Sequence, residues 1–149
     1  TASSIISHYK AHIKNGRPIG AYITNSPFWF DVGTPPNYYQ AHKQIIKKSI
    51  LLSKKGSSQV SDFWNSIGFG DSLKSFTLKQ NSIISKTAII APSAKINDYS
   101  CVYSESRIEA GCQIRASILM PKSKIQEEAC VYHQIVWGEN NSKLLDIYF

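Results

Sequence analysis

The sequence predicts a mixed α/β segment followed by a parallel β-helix of about three coils. One observation predicts the β-helix almost alone: Ile84, Ile90, Ile96, Val102, Ile108 and Ile114 fall at every sixth residue. A second supports it, because Ser82, Ala88, Ala94, Ser100, Ser106 and Cys112 place a small residue two positions before each of them. The α/β segment is predicted by the first fifty residues, where helical periodicity gives way to two short apolar runs and then returns.

A period of six matches neither a helix nor an isolated strand, but it is a multiple of two. Within each short strand the small and the aliphatic residue therefore point to the same side. Repeated regularly, this is the pattern of a hexapeptide β-helix, with aliphatic ladders inside and small residues beside the corners. After a slip in register the pattern resumes at Ile125 and Val131, preceded by Ser123 and Ala129. A sandwich or meander with spaced aliphatics is the competing reading, and it does not explain why both positions agree in every repeat. Glycine is rare just after the inward aliphatic, so the corners are less regular than an idealised repeat. The open ends of such a stack expose unpaired backbone, so both flanks are expected to act as caps.

Taken in order, Ser3 or Ser4 can cap a first helix whose apolar face is Ile5, Ile6, Tyr9 and Ile13, ended by Asn15-Gly16 and Pro18. His8 and His12 share one face at metal-ligand spacing, but no third ligand stands nearby, which favours ordinary surface histidines. Ala21–Thr24 reads as a strand, Asn25-Ser26-Pro27 as a turn, and Phe28–Val32 as a second strand closed by Gly33. Thr34 and Pro35-Pro36 then start a helix with Tyr39, Ala41, Ile45, Ile46 and Ile50 on its buried face. Residues 1–50 form the α/β portion, 51–80 a linker and cap folded over the first coil, and 81–149 the β-helix with a C-terminal cap. Gly68-Phe69-Gly70-Asp71 is a turn rather than a phosphate loop, since two glycines around a phenylalanine carry little specificity. Val136-Trp137-Gly138 breaks the repeat, and Leu144–Phe149 suits the capping of the last coil.

Composition narrows the partners. The net charge of +7 comes from scattered lysines, with small groups at Lys47-Lys48 and Lys54-Lys55. Without an aromatic-interleaved basic stripe it describes a solvated basic surface suited to polyanionic ligands such as nucleotides, and no nucleic acid. No run of about 18 apolar residues implies a membrane span, and no secretion signal is visible. Cys101, Cys112 and Cys130 form no close pair, which suggests a reducing, cytoplasmic setting with neither disulfide frame nor zinc site. A start at Thr1 rather than methionine is what a processed product or a piece of a longer protein would show.

Chemical content concentrates in Trp29-Phe30-Asp31-Val32-Gly33-Thr34-Pro35. An aspartate ending an apolar strand, before a glycine turn and a helix start, stands where ligands bind in α/β sheets. The helix N-terminus favours anions and a carboxylate can hold Mg²⁺. From the residues alone, Asp31 serves equally well as a turn cap.

The stretch from Phe28 to Ile46 resembles the late core motif of sugar-phosphate nucleotidyltransferases, Trp-x-Asp-(Val/Ile/Thr)-Gly-Thr-Pro followed by a tyrosine and an alanine on the next helix. Trp29, Asp31, Gly33, Thr34, Pro35, Tyr39 and Ala41 match. Many members of that family place a left-handed hexapeptide β-helix directly afterwards, and the arrangement is similar to the mannose-1-phosphate guanylyltransferase branch. The resemblance implies a mixed α/β remnant followed by a left-handed parallel β-helix of about three coils. It also implies an intact enzyme in which a sugar-1-phosphate attacks the α-phosphorus of a nucleoside triphosphate, releasing pyrophosphate and an NDP-sugar with Mg²⁺ as cofactor. Asp31 is then the catalytic metal ligand, Gly33 and Thr34 line the substrate corner, and Trp29 supports it by packing. The family's Gly-rich nucleotide loop, its downstream lysine and its second metal aspartate have no counterpart in these 149 residues. The chain alone is therefore expected to be inactive, with the β-helix serving homo-oligomeric assembly or regulation.

Two other classes compete. A hexapeptide acyltransferase would use a histidine beside the coils as general base, and His133 is its candidate. A metal-dependent hydratase would need several histidines on the coils, whereas His8, His12 and His42 lie outside them.

Overall fold

A computed structural model describes residues 4–23, 29–68, 70, 74–138 and 143–147. Three helices precede a parallel β-helix: α1 (Ile5–Lys14), α2 (Pro35–Ser53) and α3 (Ser57–Ser66). Ser4 caps α1 by accepting from Ile6 N, and Thr34 caps α2 by accepting from Asn37 N, with prolines in the first turn.

The coils follow from the ladder residues. The first coil carries β2 (Ser82–Ser85), β3 (Ile89–Ile90) and β4 (Lys95–Asn97), and the second β5 (Cys101–Val102), β6 (Arg107–Ile108) and β7 (Gln113–Arg115). The third carries β8 (Ile118–Leu119), β9 (Lys124–Ile125) and β10 (Cys130–Tyr132), and β11 (Gln134–Trp137) begins another turn. Equivalent strands pair in parallel, so Ile84, Val102, Leu119 and Val136 stack in one column. Ile90, Ile108 and Ile125 form the second column, and Ile96, Ile114 and Val131 the third. Most of these side chains are fully buried in a single interior cluster. About three coils of parallel strands are consistent with the left-handed β-helix the sequence suggests.

The small residues do more than leave room at the corners. Ser106 and Ser123 donate to the carbonyls of Met120 and Val136 in the following turn, at 3.1 and 3.0 Å. Cys112 Sγ lies 2.9 Å from the carbonyl of Gln126, and Ser117 Oγ receives Gln134 N–H at 3.1 Å. These buried hydroxyls and the thiol rivet successive coils while satisfying their own polar atoms.

The slip in register has a physical cause. The corner after β4 uses two left-handed residues, Asp98 and Tyr99, whereas the corners after β7 and β10 use one each, Ala116 and His133. One residue is thereby dropped per coil, and the repeat continues through Ser117 and Leu119. The same shortening carries the pattern into Val136, so Val136-Trp137-Gly138 does not break it. Val136 is a further rung, pairing with Leu119.

The ends are sealed by antiparallel strands. β1 (Phe76–Lys79) pairs with β2 and β12 (Lys143–Asp146) with β11, extending one face of the coils at both ends. The cap expected from Leu144 onward thus takes the form of an added strand. Residues 51–80 hold more order than a linker, since they contain α3 and β1.

The two strands expected before α2 are corrected. Ala21–Ile23 and Trp29–Val32 lie in no sheet, because no neighbouring strand among the described residues offers them a ladder. Thr24 and Phe28, with the turn Asn25-Ser26-Pro27, lie outside the described residues. The same holds for Phe69 and Asp71, while Gly68 stands in a turn at φ 79°.

Outside the coils, Ile83, Cys101, Ile118 and Ile135 form an apolar column on the face that α2 and α3 cover. Tyr39, Ile46, Val60, Phe63 and Trp64 pack onto it. α2, α3 and the coils are therefore joined by a second core.

Candidate functional site

The Asp31 loop is held by two short-range bonds and one long helix. Asp31 Oδ1 accepts the Gly33 N–H at 3.0 Å, which closes a tight turn. Thr34 Oγ1 faces Asn37 N at 3.4 Å and the Thr34 carbonyl accepts from Tyr38 N at 2.9 Å, which starts α2. Asp31, Gly33 and Thr34 are all exposed and contiguous. Trp29, expected to support the corner by packing, is instead 77% exposed.

What fixes the loop in space is α2. Tyr39 donates its hydroxyl to the Asp98 carbonyl at 3.1 Å, anchoring the helix on the corner after β4. One turn further, His42 bridges the Tyr38 carbonyl through Nδ1 and the Tyr103 hydroxyl through Nε2, both at 2.8 Å. Those partners assign the proton to Nδ1 and leave Nε2 as acceptor for Tyr103. Burial holds the His42 pKa below the ordinary histidine value, partly offset by the Tyr38 carbonyl. Burial also pushes the nearby Cys101 thiol up to about 12, so it remains a protonated thiol and no nucleophile.

Two hollows flank the loop. An apolar cavity of about 460 Å³ lies beneath Phe30 and Val32, walled by Tyr38, Ile45, Trp64 and Tyr103. A shallow depression of about 490 Å³ runs from Val32–Pro35 to Met120, Ile135 and Trp137 on the last coils. The motif therefore sits on an apolar seam between α2 and the β-helix.

Mg²⁺ demands near-octahedral oxygen coordination. The loop offers it a single carboxylate, and among the described residues no group of three His, Cys, Asp or Glu could hold a metal. The residues present can supply one ligand of a magnesium site but do not make a whole one. His8 and His12 lie on α1, a helix with no buried residue, His8 facing the Ser4 carbonyl. His133 stands at the corner after β10, its N–H on the Arg115 carbonyl at 3.2 Å and its carbonyl receiving Ile147 N–H at 2.7 Å.

Comparison with known families bears on the readings of the β-helix. Residues 78–144 match the family model of the GMPPB C-terminal domain. The match covers 67 of the 149 residues, the β-helix and parts of the strands that seal it. With about three parallel coils it fits the C-terminal piece of a mannose-1-phosphate guanylyltransferase-like protein, and so the C-terminal part of a sugar-phosphate nucleotidyltransferase. No curated protein and no solved structure matches the chain. The GMPPB C-terminal domain match gives no support to acyl transfer by His133. It spans β2 through β11 and reaches into β1 and β12, the strands that seal both ends. Among the described residues no helix is long and apolar enough to cross a membrane.

The sequence missed one cluster. Lys43, Asp98, Tyr99, Arg115 and Tyr132 meet with Tyr39 and His133 around a cleft of about 500 Å³ between α2 and the coils. A signal existed: Asn97, Arg115 and Tyr132 each follow an inward aliphatic of the third column and so stand in register on its outer face.

Proposed function

We propose that these 149 residues are the carboxyl-terminal portion of an enzyme that joins a nucleoside triphosphate and a sugar-1-phosphate, releasing pyrophosphate and an NDP-sugar. The observation that carries this reading is the docking of α2: a helix that begins at the Asp31 motif lies directly on a GMPPB C-terminal domain. The β-helix then acts as a rigid platform that holds Asp31, Gly33 and Thr34 at a fixed place and serves assembly or regulation of a homo-oligomer. In the intact cytoplasmic enzyme Asp31 would give one carboxylate to Mg²⁺, whose role is to neutralise phosphate charge. Gly33 would permit close approach of a substrate, and Thr34 would keep the first turn of α2 turned toward it.

Residues 1–149 alone hold no Gly-rich nucleotide loop, and their inactivity is part of the proposal. The test is NDP-sugar pyrophosphorolysis followed by ³¹P NMR with Mg²⁺. The 149-residue chain should give no nucleoside triphosphate. In the intact enzyme Asp31→Asn should cut turnover by at least the ~10–100-fold that losing an outer-shell partner costs a metal site. Turnover by the short chain, or an unaffected Asp31→Asn enzyme, would overturn the reading.

A further inference from the structure

We propose that the cleft between α2 and the outer face of the third column binds a nucleoside phosphate. The argument begins with charge. Lys43 Nζ lies 5.9 Å from the Tyr39 ring centre and 5.7 Å from that of Tyr99, and Lys47 Nζ lies 5.4 Å from Tyr99. Among the described residues neither ammonium group is paired with a carboxylate. The cleft lining holds one carboxylate, Asp98, and Arg115 already engages it through Nε at 2.6 Å. Positive charge thus exceeds negative charge around a concave surface, which draws an anion.

Shape narrows the anion to an aromatic phosphate ester. Arg115 is anchored through Nε, so its terminal nitrogens can face the cleft as a fork, the geometry that suits phosphate oxygens. Tyr132, paired in register with Arg115, and Tyr99, at the corner after β4, supply flat rings in the same lining, and rings of this kind stack nucleobases. Both rings are held in place. Tyr99 sits in a left-handed corner at φ 61°, beside the Asp98 carbonyl that Tyr39 clamps, and the Tyr132 hydroxyl donates to Gln113 Oε1 at 3.0 Å. A volume of about 500 Å³ accommodates a mononucleotide. A merely solvated basic patch would not need rings fixed on two different elements.

Position gives the site a consequence. Lys43 lies on the same helix as Thr34, nine residues along, or about 13 Å at ~1.5 Å per residue. A ligand held by Lys43 and Arg115 would brace α2 against the coils without touching the Asp31 loop. The binding itself does not rest on the nucleotidyltransferase reading.

The experiment is calorimetric titration of the 149-residue chain with ADP, GDP, inorganic pyrophosphate and adenosine, with ¹H–¹⁵N NMR on the same samples. Both nucleoside diphosphates should bind, shifting the amides of Tyr99, Arg115 and Tyr132, and binding should weaken as salt rises. Pyrophosphate and adenosine should each bind more weakly. Lys43→Glu should weaken ADP about tenfold or more, the loss expected for a charge-assisted contact. Lys43→Gln serves if that variant does not fold. Asp31→Asn should leave binding unchanged, which separates this site from the Asp31 loop. The proposal is overturned by no saturable binding below ~10 mM. It is equally overturned by affinity indifferent to Lys43, by affinity lost with Asp31→Asn, or by pyrophosphate binding as tightly as ADP.

Discussion

Leu119 is fully buried in the interior ladder, stacked between Val102 and Val136, yet it falls outside the six-residue rhythm that marks its neighbours. Leu119→Ala should cost about 2–5 kcal/mol, because the coil above and below cannot close on the gap. Ile89 lies on the outside of the coil, 57% exposed, and Ile89→Ala should stay within about 0.5 kcal/mol. Urea unfolding of the two variants checks the contrast; equal losses would mean that Leu119 is not a ladder residue. His42 makes a second prediction at this scale. Burial lowers its folded pKa, so below ~6.5 the unfolded chain takes up a proton that the folded one refuses. This contribution is fully present above the unfolded pKa and is lost as pH falls through it, levelling off once the folded ring titrates. Unfolding free energy measured from pH 7.5 down to 4.5 should fall along this leg, and His42→Gln should flatten it.

At the scale of elements, the weld between α2 and α3 is a short polar chain in an apolar setting. Trp64 Nε1 donates to Ser49 Oγ at 2.8 Å, and Ser49 Oγ donates to the Ile45 carbonyl at 2.8 Å. Ser49→Ala would leave a buried indole N–H without a partner, at about 1–3 kcal/mol. Repeated in a Trp64→Phe background the same change should cost much less, and thermal melts of the four chains give the coupling. The serine of this pair was not legible in the sequence. Ile46 and Tyr39 announce a buried face by spacing, whereas a serine at the same seam looks like surface until its partner is known. The β-helix elements were legible for the opposite reason, since each rung repeats a contact made by residues one coil away. Where the rhythm changed by one residue, at Ala116 and His133, the repeat seemed to lapse although the ladder continued.

Over the whole molecule, two cores share one sheet: aliphatic ladders inside the coils, and the α2–α3 seam outside. The outer face of the second column carries polar residues such as Arg107 and Lys124, which suits the proposed assembly role. Light scattering coupled to size exclusion should find the 149-residue chain as a closed oligomer; a strict monomer at high concentration would count against assembly through the β-helix. α1 behaves differently from the rest. Ile5, Ile6, Tyr9 and Ile13, spaced for one apolar face, are all exposed, and no residue of α1 is buried.

The sequence by itself determined the β-helix, its three columns, the caps of α1 and α2, and the motif around Asp31. Each of these is written locally, as a period, a capping residue or a short string of types. Only the tertiary structure decided that the apolar runs before α2 make no ladder and that Tyr39 anchors α2 on the corner after β4. It alone brought Lys43, Arg115 and Tyr132 to one cleft. Those outcomes depend on which faces meet across dozens of residues, and a face is chosen by the area and hydrogen bonds it buries on its partner, which no single segment contains.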